Sequence, residues 1–117
     1  MSFKEIQFEL DPLLEEDSIF IMEFPLCKLL LMNDANFPWF LLVPRREGIV
    51  EVFDLNDEDR SQLSRESDYL LRKIKEHYQA KKMNVANLGN MVPQLHVHHI
   101  VRYEEDLAWP GPIWGVA

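Results

Sequence analysis

The spacing of apolar and polar positions changes period twice along the chain. Ser18 to Phe24 and Leu26 to Met32 are apolar and β-rich with only Pro25 between them, which predicts two strands joined by a hairpin or sharp bend. The turn formers Asn33-Asp34-Ala35-Asn36-Phe37-Pro38 lead into Trp39-Phe40-Leu41-Leu42-Val43, a buried strand stopped by Pro44. Ahead of them, Leu10 to Glu16 reads as a short helix with Pro12 in its first turn. From Asp57 to about Lys82 the period becomes helical, with Leu63, Ser67, Leu70, Leu71, Ile74 and Tyr78 on one side. Asn56 is the expected N-cap; Asp57, Glu58 and Asp59 complement the dipole at the start, as do Lys81 and Lys82 at the end. Met83 to Leu88 and Leu95 to Tyr103 return to a strand pattern around the turn Gly89-Asn90-Met91-Val92-Pro93. The tail from Trp109 to Gly115 is too rich in proline and glycine to be helical, and its two tryptophans need a surface to pack on. Three strands, a helix and two strands imply an α+β domain, with an antiparallel five-stranded sheet and the long helix covering one face.

Composition narrows the function. The chain has 117 residues, enough for one domain with a sizeable core. Its net charge of −8 argues against a partner such as a nucleic-acid polymer, whose phosphates call for a basic face, but leaves small anions open. Cys27 is the only cysteine, so no internal disulfide can form, and it reads as a small core residue. No apolar run approaches the roughly 18 residues of a membrane span, because Pro25, Lys28, Asn33 and Asp34 interrupt the richest region. With no basic start followed by an apolar signal run, the chain is expected in the cytoplasm and away from membranes.

Three of the four histidines fall between His96 and His99. On a strand, Gln94, His96, His98, Ile100 and Arg102 share one face while Leu95, Val97, His99 and Val101 share the other. The second set reads as core, with His99 a hydrogen-bonded structural imidazole or a subunit contact. The first is a polar row, costly to bury unpartnered, and is expected to line a wet cleft or ligand site. His96 and His98 would stand about 6.5 to 7 Å apart at their Cα atoms. That spacing suits three readings: a solvent-exposed strand, a metal site, or nucleophilic catalysis with one imidazole attacking phosphorus while the other donates to the developing charge. A metal would need a third ligand such as Glu104, Glu105 or a distant carboxylate.

These residues resemble the histidine-triad (HIT) family, whose signature is three histidines alternating with apolar residues. Either Gln94, His96 and His98 or His96, His98 and Ile100 occupy the triad. Arg102, four residues beyond His98, matches an arginine found there in many members and favours the first register. Asn87-Leu88-Gly89 resembles the family's Asn-x-Gly element, and Asn33-Asp34 through Pro44-Arg45 resembles its ribose-contacting segment and following strand. Trp39 stands where many members have another histidine. The stretch from Gly89 to His98, with Trp109-Pro110-Gly111-Pro112 downstream, is similar to a bacterial diadenosine-tetraphosphate-hydrolase-like subgroup.

The resemblance implies a homodimer with one sheet extended across both chains, and chemistry at the α-phosphate of a small-molecule nucleotide. His96 would be the nucleophile, forming a nucleotidyl-histidine that water then hydrolyses. His98 would hydrogen-bond the phosphate or leaving-group oxygen, Asn87 and the amides near Gly89 would hold phosphate oxygens, and Asn33 or Asp34 would take ribose hydroxyls. Arg102 would join the nucleotide-binding set, and neither metal nor cofactor is required. Dinucleoside polyphosphates and nucleotide phosphoramidates are the substrate types implied. Gln94 replaces the first histidine, and its amide can orient a substrate oxygen or the neighbouring imidazole but has no proton to titrate. A non-catalytic nucleotide-binding or interaction module is the alternative. One helix over one face also leaves the other short of cover, a second reason to expect a dimer.

Overall fold

The computed structural model describes residues 8–116. After α1 (Pro12–Asp17), the strands β1 (Ser18–Glu23), β2 (Cys27–Met32) and β3 (Trp39–Pro44) form a meander. A 3-10 turn (Val52–Asp54) and α2 (Asp57–Tyr78) lead to β4 (Lys82–Ala86) and β5 (Val97–Arg102). Every pairing is antiparallel, and the order β1-β2-β3-β5-β4 sets β5 between β3 and the edge strand β4. This is the α+β architecture expected. All six residues of β5 are buried, because the strand is paired on both sides and covered on both faces.

α2 starts where its sequence demands: Asn56 Oδ1 accepts the Asp59 N–H at 2.8 Å. It ends at Tyr78, earlier than expected, because Gln79 adopts a left-handed conformation at φ 50° and turns the chain toward β5. Lys81 N–H donates to Arg102 O at 3.0 Å and Lys82 opens β4, so Lys75 and His77, rather than Lys81 and Lys82, occupy the last helical turn. Leu63, Leu70 and Ile74 of α2 pack with Leu42, Val97 and Val101 on the covered face. Burying each such side chain contributes about 1.5–3 kcal/mol. Ser67 and Leu71 sit on its flank, only partly buried.

Two acidic residues of α2 that its apolar period does not mark are also buried. Glu66 accepts the backbone N–H groups of Leu26 at 2.8 Å and Cys27 at 3.0 Å, binding the helix to the bend between β1 and β2. Burial, reinforced by that carboxylate, pushes the Cys27 thiol up and keeps it protonated. Asp59 is paired with Arg46 at 2.7 Å.

The second face is not short of cover. Leu14 of α1, with Phe8 and Leu10 before it and Ile113 and Trp114 of the tail, packs over Leu30, Leu41, Val43 and Ile100. The tail is fixed there by Arg102, which is 2% exposed. Its guanidinium donates to both carboxylate oxygens of Asp106 at 2.8 and 3.0 Å, to Asn84 Oδ1 at 2.6 Å and to Gly111 O at 2.7 Å. It also lies 5.7 Å from the centre of the Trp109 ring. Arg102, expected among the nucleotide contacts, is thus enclosed by its own chain, because four of its donor directions end on protein oxygens. Removing one member of a buried ion pair strands the other, so Asp106→Ala should lower unfolding stability by about 3–5 kcal/mol, read by urea denaturation.

Candidate active site

The face of β5 that carries His98, Ile100 and Arg102, with His96 just ahead of the strand, is the one under the terminal segments, not an open cleft. His96 and His98 are each 6% exposed. The burial cost is met ring by ring. His96 Nδ1 lies 2.6 Å from the carbonyl oxygen of Gln94, an atom that only accepts, so Nδ1 carries a proton and the neutral tautomer has its lone pair on Nε2. Trp39 Nε1, an atom that only donates, lies 2.9 Å from His98 Nδ1. Neutral His98 therefore carries its proton on Nε2. The two rings stand 5.0 Å apart between centroids, and one presents an electron pair where the other presents an N–H.

Three elements set this geometry. The β3–β5 register pairs Trp39 with Ile100 and Leu41 with His98, placing the indole on the histidine face. Trp114 of the tail meets His98 edge-on at 5.1 Å and Trp39 edge-on at 6.0 Å, closing the ring cluster. Trp109 and Trp114 thus pack on the sheet's second face. Burial, with His96 and His99 adding to it, lowers the His98 pKa to about 4, so that ring is neutral near pH 7. His99, on the opposite face, donates from Nδ1 to Val97 O at 2.9 Å and accepts the Ser67 hydroxyl at Nε2 at 2.7 Å. It is a structural imidazole, held neutral by burial with a pKa of about 4.

Of the other candidates, Gln94 adjoins this pair, whereas Asn87, Asn33 and Asp34 line cavities that do not include the two histidines. Gln94 turns its amide to the N-terminal arm, accepting Asp11 N–H at 2.7 Å and donating to Glu9 O at 2.9 Å. It orients the neighbouring His96 through its backbone carbonyl. Ala86 pairs with His98 across β4, so Asn87 stands beside the start of β5. It lines a cavity of about 350 Å³ with Ser64, Ser67 and Val97. Gly89 follows at φ 69°, a left-handed value suited to glycine, and a Cβ there would lie 3.9 Å from Asn87 Oδ1. Asn33 and Asp34 line a separate cavity of about 330 Å³ with Ile19, Leu31 and Tyr78. Asp34 Oδ1 accepts the N–H groups of Asn36 and Phe37, shaping the loop. Sequence reasoning overlooked Trp39 as a partner of His98; its place two residues inside the register from Leu41 is the signal that could have found it. Among the described residues, no three His, Cys, Asp or Glu side chains are grouped so as to hold a metal, so Glu104 and Glu105 do not join the histidines in such a set. Among the described residues no helix is long and apolar enough to cross a membrane.

This fold is shared with known proteins. A family model described as the HIT domain matches residues 14–105. A histidine triad protein from Bradyrhizobium japonicum is 49% identical, with TM-score 0.93 over 94% of this chain and 82% of that one. One from Marinobacter aquaeolei VT8 is 51% identical, with TM-score 0.92 over 94% of this chain and 80% of that one. A histidine triad protein from Sinorhizobium meliloti 1021 is 45% identical, with TM-score 0.94 over 97% and 84% of the two chains. No curated protein matches. The chain belongs to the HIT-domain family, whose members are generally nucleotide hydrolases or transferases.

The two buried neutral rings make stability depend on pH. His98 and His99 each titrate near 6.5 when unfolded and near 4 when folded, so between these values the unfolded state binds more protons. Their contribution is present above pH 6.5 and should be lost as pH falls toward 4, on the order of 3 kcal/mol per ring. Asp106, held below its ordinary 3.8 by the Arg102 hydrogen bonds, adds a further loss only at more acidic pH. Urea unfolding at a series of pH values should show the first decline, and replacing His99 by an uncharged isostere should reduce its slope.

Proposed function

We propose that this protein is a nucleotide phosphohydrolase or nucleotidyltransferase that attacks the α-phosphate and forms a nucleotidyl-histidine on His96. The observation that carries this reading is the Nδ1–H of His96 bound to Gln94 O, which puts the electron pair of the neutral ring on Nε2, with the His98 ring 5.0 Å away between centroids and its own proton on Nε2. In the first step the Nε2–phosphorus bond forms as the bond to the leaving group breaks. The Gln94 carbonyl, still accepting from Nδ1, stabilises the positive charge that the ring acquires. His98 Nε2–H donates to an oxygen on which charge builds. In the second step water, or another acceptor, takes the nucleotidyl group and the electron pair returns to Nε2.

In this reading the substrate is a dinucleoside polyphosphate or a nucleotide phosphoramidate, as in the diadenosine-tetraphosphate-hydrolase-like subgroup that the sequence resembles. Asn87 and the amides around Gly89 hold phosphate oxygens, Asn33 or Asp34 takes the ribose, and a cytoplasmic homodimer is the working unit. The near-complete burial of both histidines supports a second reading, a nucleotide-binding module without turnover, in which the terminal segments keep the rings from the phosphate.

Incubation with an α-labelled dinucleoside polyphosphate followed by acid-sensitive adduct mapping separates the two. Catalysis predicts label on His96, and His96→Ala should lower kcat/KM by about 10²-fold or more. Nucleotide affinity with no adduct and no effect of His96→Ala would leave the binding module.

A further inference from the structure

The position of Trp39 says more about His98 than that it is buried. An indole N–H cannot accept a hydrogen bond, so it cannot reverse roles with the imidazole it faces. A second proton on His98 would set two N–H groups against each other across the 2.9 Å gap. The indole has little room to turn away: it is 8% exposed, pinned edge-on by Trp114 and seated opposite Ile100 in the β3–β5 ladder. The titratable groups nearest His98 do not favour a cation either: they are His96, just ahead of β5, and His99, next in the chain.

Leaving groups differ in what they ask of such a ring. When the bond from the α-phosphorus to a bridging oxygen breaks, the electron pair leaves on a phosphate or polyphosphate oxygen. Phosphate monoesters lose their last proton near pH 6, so that oxygen departs as an anion without an acid. When a phosphorus–nitrogen bond breaks, the departing amine must gain a proton, because even its conjugate acid has a pKa of about 10 and the bare nitrogen anion is far more basic. A neutral ring whose only proton lies on Nε2 can hydrogen-bond the first leaving group. It is a poor acid toward the second, because giving up that proton would produce an imidazolate.

We propose that Trp39 is a positioning residue that locks His98 as a neutral Nε2–H donor, so that the site selects nucleotides whose leaving group departs as a phosphate oxyanion over phosphoramidates, whose amine must be protonated. The proposal rests on the nucleotidyl-histidine reading of His96 and narrows its substrate class. The lowered pKa of His98 agrees with the geometry. The reaction balances with water alone: His96 Nε2 gains and then releases the nucleotidyl group, water supplies the hydroxyl, and its proton goes to the released phosphate or to solvent.

The test compares kcat/KM for a dinucleoside tetraphosphate and an adenosine 5′-phosphoramidate, using the full chain and Trp39→Phe, which keeps an aromatic ring but loses the N–H. General acid catalysis is worth about 10²-fold or more, so the unaltered protein should prefer the tetraphosphate by about that factor. In Trp39→Phe the preference should shrink by about tenfold, and phosphoramidate cleavage should acquire an acidic limb in its pH profile as His98 becomes able to hold two protons. Equal rates on both substrates, or a preference unchanged in Trp39→Phe, would overturn the proposal. Long-range ¹⁵N–¹H NMR of the imidazoles, assigned with His98→Asn, needs no active variant. It should show His98 with a bare Nδ1 and a protonated Nε2 down to about pH 5, and an imidazolium or the Nδ1–H tautomer at neutral pH would overturn the lock itself. If neither nucleotide is cleaved and no adduct forms on His96, the leaving-group preference falls together with the catalytic reading. The NMR result still decides the role of Trp39 separately.

Discussion

The buried ion pair of Arg102 and Asp106 holds the second face of the sheet closed, and the site is built inside that closure. A guanidinium out of water is tolerable only with its donors met, and here they are met by β4 through Asn84, by the tail through Gly111, and by Asp106 in the turn that follows β5. Meeting them fixes the path of the tail over β5. Ile113 and Trp114 then land on Ile100, Trp39 and His98, and the two catalytic candidates become dry. The arginine thus influences the histidines without touching them, by determining what lies over them.

Dryness gives the hydrogen bonds to His96 and His98 their consequence. In water an imidazole exchanges tautomers freely, but under the terminal segments each ring has one protein partner whose role cannot be reversed, a carbonyl for His96 and an indole for His98. Two identical side chains two residues apart therefore do opposite things. The same alternation puts His99 on the other face, where Ser67 and Val97 satisfy both of its nitrogens and leave it no chemistry.

Much of this was legible in the sequence, and what was not has physical causes. Period two along Gln94 to Arg102 placed His96 and His98 together and His99 apart, because pleating enforces that division whatever the surroundings. The Asn56 cap was legible because cap chemistry is local. The end of α2 was not, since Gln79 breaks the helix to satisfy a ladder with β5, a contact distant in the chain. The surroundings of Arg102 were hidden for the same kind of reason: its motif position pointed to ligand, whereas Asp106, Asn84 and Gly111 reach it only once the tail has folded back. The cover on the second face comes from segments without period, Phe8 to Leu14 and the tail, whose apolar residues carry no signal of what they pack on. Trp39 read as part of a buried strand, at a position where many family members have another histidine, and only the structure shows its N–H aimed at His98.

Gln94 has two hydrogen-bonding ends with different clients. Its carbonyl holds the proton of His96, while its side-chain amide grips the N-terminal arm at Glu9 and Asp11. Arm and nucleophile are consequently joined through the bonds of a single amino acid, with no layer of packing between to absorb a displacement. A tug on the segment at Glu9 and Asp11 is delivered as torque on one peptide plane, and that plane decides where the electron pair of His96 points.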